Sequence, residues 1–282
     1  MAGRNIVKTV RGQRTVDGAG VQLVRVLAHN ETRAFDPFLM LDSFDSTRPS
    51  DYLAGFPTHP HRGIETITYL IEGRIEHEDS LGNKGVILSG ESQWMTAGSG
   101  ILHQEMPQAS DRMLGFQLWL NLPAAEKMCD PTYLSLGQAQ IPVVQEAGAR
   151  VHVIGGRYGN ASGAKPGHVQ ATLLDVELEP GATLTLPVAA QDTAFAFTLL
   201  GAAHIGGTPV PEKTAALLGP GDAVTFAAMQ DAPARVIFYA GKPLDEPIAW
   251  GGPIEMNTQA ELRQAFDELR AGTFIRHNAG RP

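Results

Sequence analysis

Two stretches of this chain echo each other, and that echo constrains the fold more than any overall composition does. TYLIEGRIEHE (68–78) resembles FTLLGAAHIGG (197–207), each a β-rich run that ends at a glycine turn. LSGESQWMTA (88–97) resembles GPGDAVTFAA (219–228), each a glycine turn with an acidic residue and then a second run. Two similar β domains in tandem are the simplest source of such a pattern. The 31 glycines and 19 prolines supply the many turns that short strands need. The expected strands are 21–27, 65–71, 74–78, 86–88, 113–120, 150–154, 170–177, 183–186, 195–200 and 234–240. A connector, 123–142, holds a short helical turn near 124–128. Only 258–271 reads as an amphipathic helix, with Thr258 as N-cap, Glu261 three residues on, and Leu262, Phe266 and Leu269 on one face. Gly272 stops it, and its expected place is the outside of a sheet. The expected domains are 1–133 and 134–282.

Charge and cysteine content narrow the function classes. A net charge of −8 argues against broad nucleic-acid binding, where cationic groups must displace counterions. Arg11 and Arg14 read as a solvated face. A single cysteine, Cys129, excludes an internal disulfide and suits a reducing compartment; a small apolar filler is its expected role. There is no secretory-type h-region and no membrane-length apolar run, so the expectation is a cytoplasmic protein.

The chemistry concentrates in GFPTHPHRGIET (55–66) and GSGILHQEMP (98–107). His59 and His61 are two apart, so an extended backbone puts both on one face, and Pro60 biases His59 to that shape. Alone, a His-x-His is more often a surface coincidence. His103 and Glu105 repeat the spacing about forty residues later, as antiparallel strands across a barrel would supply them. Three imidazoles and a carboxylate suit a first-row divalent ion, and four protein ligands leave positions open in an octahedral ion. Glu65 competes as the carboxylate, since it shares the parity of His61. Spacing does not choose between Glu65 and Glu105; Glu65 can instead orient a ligand histidine.

The stretches HPHRGIET, TYLIEGRIEHEDSLG and GESQWMTAGSGILHQEMP resemble the pirin family of the cupin superfamily, densely over 34–123 and more loosely beyond. The resemblance implies an all-β chain of two tandem cupin-type (jelly-roll) β-barrel domains, a bicupin, with a short C-terminal helix. It implies one metal in the N-terminal domain, held by His59, His61, His103 and Glu105, with Glu65 outside the ligand set. Fe(II) is the expected ion, with Mn, Ni, Cu, Zn and Co in the same class. The implied activity is oxidative ring cleavage of flavonols such as quercetin, with an aromatic substrate, dioxygen and Glu105 as catalytic base. The alternative is a non-enzymatic, metal- or redox-sensitive regulator that binds a protein partner. Neither reading calls for a membrane, direct nucleic-acid contact or more than a monomer.

The second copy lacks ligands. Counted from the glycine turns, Pro187 and Ala189 stand for His59 and His61, and Ala234 and Val236 for His103 and Glu105. His152, His168, His204 and His277 are scattered, so a metal-free second domain is expected. His77, flanked by Glu76, Glu78 and Asp79, reads as part of a solvated acidic turn. Trp94 and Arg62 read as structural, Gly98 and Gly100 as turn formers before His103. Phe38, Met40 and Phe56 are core candidates that could alternatively line a pocket mouth.

Overall fold

The computed structural model describes residues 2–165 and 167–277. These pack as two units, each discontinuous in sequence. One unit takes 1–13, 26–37 and 138–243; the other takes 14–25, 38–137 and 244–282. The single cut drawn at 133/134 thus gives way to an exchange of ends: an N-terminal arm packs with the later residues, and a C-terminal segment with the earlier ones.

In the unit built around 38–137, a seven-stranded antiparallel sheet runs in the order Thr132–Leu136, Ser92–Thr96, Ile64–Glu72, Met113–Asn121, Phe38–Ser46, Val21–Leu27, Gln13–Asp17. A four-stranded sheet runs Phe56–His61, Ile101–Pro107, Arg74–Asp79, Lys84–Leu88. Val21, Phe44, Leu70 and Met113 of the first sheet meet Ile75 and Ile87 of the second in one apolar cluster. The alternation that gave the strands their sequence signal therefore becomes an inward row from each sheet.

The other unit repeats the plan strand for strand. Its seven-stranded sheet runs Ile6–Arg11, Thr214–Leu218, Thr193–Leu200, Ala234–Gly241, Ala171–Leu178, Ala149–Gly155, Val143–Glu146. Its four-stranded sheet runs Thr183–Pro187, Ala223–Ala228, Ala203–Ile205, Thr208–Val210. Val151, Val176 and Phe238 from one and Leu186, Ile205 and Phe226 from the other form the core between them. Here the N-terminal arm is the edge strand, pairing Arg11 with Thr214 and Ala216 with Thr9. Arg4 anchors it, donating to the carbonyls of Gly221, Asp192 and Ala189 at 3.0, 3.0 and 2.7 Å.

The C-terminal segment closes the first unit. A hairpin, Ala249–Gly251 with Ile254–Met256, precedes the helix Gln259–Ala271. Thr258 and Glu261 form the expected capping box and Gly272 closes the helix in the left-handed region. The helix packs Leu262 and Ala265 on the hairpin rather than on a broad sheet. Lys127 and Glu255 form an ion pair at 2% and 0% side-chain exposure, and Lys127 Nζ also donates to Asn121 Oδ1 and to the Gly63 carbonyl at 2.6 and 3.0 Å. Burial pulls the Lys127 pKa down and the charge of Glu255 pushes it back up.

Two outcomes follow for stability. Lys127→Met leaves Glu255 buried without its counter-charge and is expected to cost about 3–5 kcal/mol in chemical unfolding, most of it recovered in Lys127→Met/Glu255→Leu. In the other unit, the hydrogen bond from His152, and then the charge of Arg235, hold the Glu177 carboxyl down to about 2 from 4.5. Its folded pKa is depressed, so its stabilisation is full above 4.5 and fades as pH falls toward about 2. The stability gap between the native protein and Glu177→Gln should close across that window.

Candidate metal centre

Phe56–His61 lies antiparallel to Ile101–Pro107, with His59 directly opposite His103 and His61 opposite Ile101. Three imidazoles meet there. Ring centroids stand 4.8 Å apart for His59 and His61, 4.4 Å for His59 and His103, and 5.0 Å for His61 and His103. One nitrogen of each lies within 4.8 Å of the others.

Backbone carbonyls decide which nitrogens face inward. A carbonyl only accepts, so Nδ1 of His59 must donate to Pro57 O (2.9 Å) and Nδ1 of His61 to Pro253 O (2.9 Å). In the neutral rings both Nε2 atoms then carry bare lone pairs, and these stand 3.1 Å apart. Two lone pairs in that position repel unless a proton or a metal cation lies between them. Two nitrogens about 2.1 Å from a common ion at right angles are about 3 Å apart, so the spacing fits a shared metal. His103, 1% exposed, leaves both ring nitrogens without a hydrogen bond, which a ligand role would answer. Burial, and then the charge of His59, push His61 down to about 3; burial, and then the charges of His61, His59 and His77, lower His103 well below its ordinary value. Both are therefore neutral near pH 7, as a ligand must be.

Glu105 shares the buried face of His103, because 101, 103 and 105 point inward while 102, 104 and 106 are half-buried. Its carboxylate accepts from Thr68 Oγ1 (3.0 Å), Gln117 Nε2 (2.6 Å) and Gln93 Nε2. It does not belong to the tight group of three histidines. Glu65 is fully buried on the neighbouring sheet and accepts from Trp94 Nε1 (3.1 Å) and Thr96 Oγ1 (2.9 Å). The acceptor that orients His61 is the Pro253 carbonyl, which no spacing rule could supply.

His77 overturns its reading as part of a solvated turn. It is 3% exposed, stacks on Tyr133 at 4.4 Å and 18°, and its ring centroid is 5.5 Å from that of His103. Its Nε2 faces Asp79 Oδ2 at 3.2 Å. The reason is parity: Ile75, His77 and Asp79 point inward while Arg74 and Glu76 point out. That phase was legible from Ile75. Burial, and then the charge of Glu105, push the Tyr133 hydroxyl up to about 12, so it stays a donor. Trp119 stands edge-on to His61, and Trp250 lies 5.8 Å from Trp119. Phe38 and Met40 are core, Met40 packing beside Trp119; Phe56 packs on the cluster of Val21 and Phe44.

The turns that flank the three histidines are tied together. Gly63 (φ +79°) donates to the Gly98 carbonyl at 2.9 Å, and a Cβ on Gly63 would overlap the Glu255 carbonyl oxygen. Gly98 and Gly100 (φ +49° and +137°) make the turn before His103 as expected. Arg62 is structural: it donates to Ser99 O (2.7 Å) and Phe274 O (3.0 Å), pairs with Glu268 at 2.7 Å and covers the Phe274 ring. Burial raises the Cys129 thiol to about 11, which suits an inert filler.

Among the described residues of the sister unit no three histidines converge in this way, and its strands differ from the places reached by counting from the glycine turns. Ala234 and Val236 lie on the seven-stranded sheet. The counterpart of the pairing Ile101↔His61 is Ala223↔Pro187, which places Thr185 and Thr225 where His59 and His103 stand. Those threonines hydrogen-bond each other at 2.9 Å. The slip arose because the glycine before His103 is Gly100, whose counterpart is Gly221, not Gly90. His152, Asp175 and Glu177 also converge, but Arg235 and Arg150 already pair with the carboxylates.

Residues 20–120 match the Pirin family and 173–275 the Pirin C-terminal cupin domain. A pirin-like protein of Caulobacter vibrioides is 46% identical over 275 residues, covering 96% of this chain and 99% of that one. Human pirin is 37% identical over 272 residues, covering 95% and 92%. Among solved structures, a quercetin 2,3-dioxygenase from Acinetobacter baumannii superposes with a TM-score of 0.88 at 31% identity, covering 97% and 99%.

Gly63→Ala tests the tie between the turns. The added methyl must displace the Glu255 carbonyl and with it the hairpin that carries Pro253, so Ni(II) affinity by calorimetry should fall at least tenfold. Gly207→Ala, also at positive φ but with nothing near its Cβ, should leave that affinity unchanged.

Proposed function

The chain belongs to the pirin family, and from that premise we propose that it is a metal-dependent dioxygenase that opens the central ring of flavonols such as quercetin. The observation that carries this reading is the pair of imidazoles whose inward nitrogens are bare and 3.1 Å apart beside an unpartnered third. The proposed ligands are His59, His61, His103 and Glu105, and the proposed ion is Fe(II). Bound there, such an ion supplies a Lewis acid for the flavonol oxygens and a redox partner for dioxygen.

The protein's own groups do the rest. Glu105 receives the proton of the flavonol 3-hydroxyl on a carboxylate oxygen, held in place by Thr68, Gln93 and Gln117. Loss of that proton makes the ring electron-rich enough to react with dioxygen. Both oxygen atoms enter the ring-opened ester and the C3 carbon leaves as carbon monoxide. Trp119, 8% exposed against His61, limits water on that side.

The test is oxygen uptake with quercetin by iron-loaded protein. Wild type should consume dioxygen and quercetin one to one, while His61→Ala and Glu105→Ala fall at least a hundredfold. Wild-type rates no greater than those of the two variants would sink the proposal.

A further inference from the structure

Residues 253–274 touch His61, Arg62 and the turn that leads to His103. Pro253 O accepts from His61 Nδ1, Glu255 N donates to Arg62 O at 3.1 Å, and Ile254 bridges to Arg62. Phe274 O accepts from Arg62 Nη2 and sits against Gly100, on the turn that leads to His103. Arg62 therefore joins three things with one guanidinium: the turn after His61, the Ser99 carbonyl before His103, and the C-terminal segment.

We propose that the C-terminal segment 248–276 is a positioning element of the metal centre, and that its docking and metal binding reinforce each other. The segment fixes the tautomer of His61, since only an Nδ1–H can satisfy the Pro253 carbonyl and only then is Nε2 bare. Without an ion, the two Nε2 atoms 3.1 Å apart need a proton between them or a turn of one ring, and one such turn is rotation of His61 away from Pro253. An ion between them removes that need and so holds the His61–Pro253 bond. By linkage, whatever docking adds to metal affinity, the metal adds to docking. A loosened segment would signal loss of the ion to any protease or partner that reads it, which makes it the mobile counterpart of an otherwise fixed scaffold.

This rests on the metal reading above, and the experiment separates the two. Co(II) is titrated into chelator-treated, full-length protein, and amide hydrogen exchange is followed with and without the ion. The expected result is one bound Co(II), and exchange at 253–256 and 272–276 slowed at least tenfold by it, with 171–178 and 234–241 unchanged. Arg62→Lys keeps the charge but cannot bond both carbonyls; it should raise the Co(II) dissociation constant at least tenfold and shift the visible d–d bands. Should that variant misfold, Glu268→Gln on the helix weakens the same anchor from a site that touches no proposed ligand, and should raise the constant about threefold. One Co(II) bound with identical exchange at 253–256 in both states overturns the inference alone. No Co(II) bound by wild type overturns the metal reading as well.

Discussion

Two backbone carbonyls set which nitrogens face inward in the histidine cluster of this protein. By accepting from Nδ1 of His59 and of His61, Pro57 and Pro253 leave both Nε2 atoms as bare lone pairs pointed at one spot. Most of the surrounding architecture serves that arrangement. The antiparallel pairing opposite Ile101–Pro107 sets His59 against His103, the Gly63–Gly98 contact fixes the distance between the two turns, and Arg62 and Lys127 tie both to the C-terminal hairpin. The arrangement resembles the outer partners that orient histidine ligands in metal sites generally, with main-chain oxygens in the place of carboxylates.

Local signals carried far. The β-branched alternation of 65–71 and 234–240 named strands that fold as Ile64–Glu72 and Ala234–Gly241, and Thr258, Glu261 and Gly272 bounded the helix to within a residue. These succeed because backbone geometry and one buried face decide them within a few residues. Ile6–Arg11 and Thr132–Leu136 were missed, being edge strands with mostly exposed, weakly patterned residues. So was the exchange of chain ends, which is a choice among distant partners that no window of sequence contains.

The site divides the same way. The parity of His59, His61 and His103 could be read from spacing, since period two is all that an extended strand requires. The burial of His77 was hidden by its acidic neighbours, which point outward and say nothing of the inward row. The second copy teaches the same lesson from the other side. Where the first unit sets two imidazoles against each other, the second sets two threonines whose hydroxyls bond one another.

The long reach of the Pro253 carbonyl also sets an order of events. His61 and its acceptor are separated by 192 positions in the chain. A ribosome adding roughly 5–20 residues per second places them roughly 10–40 seconds apart in a nascent chain. For that interval His61 exists with its strand but without the group that chooses its tautomer. His61 is therefore made well before the carbonyl that orients it, and this cluster is completed only after that carbonyl has been synthesised.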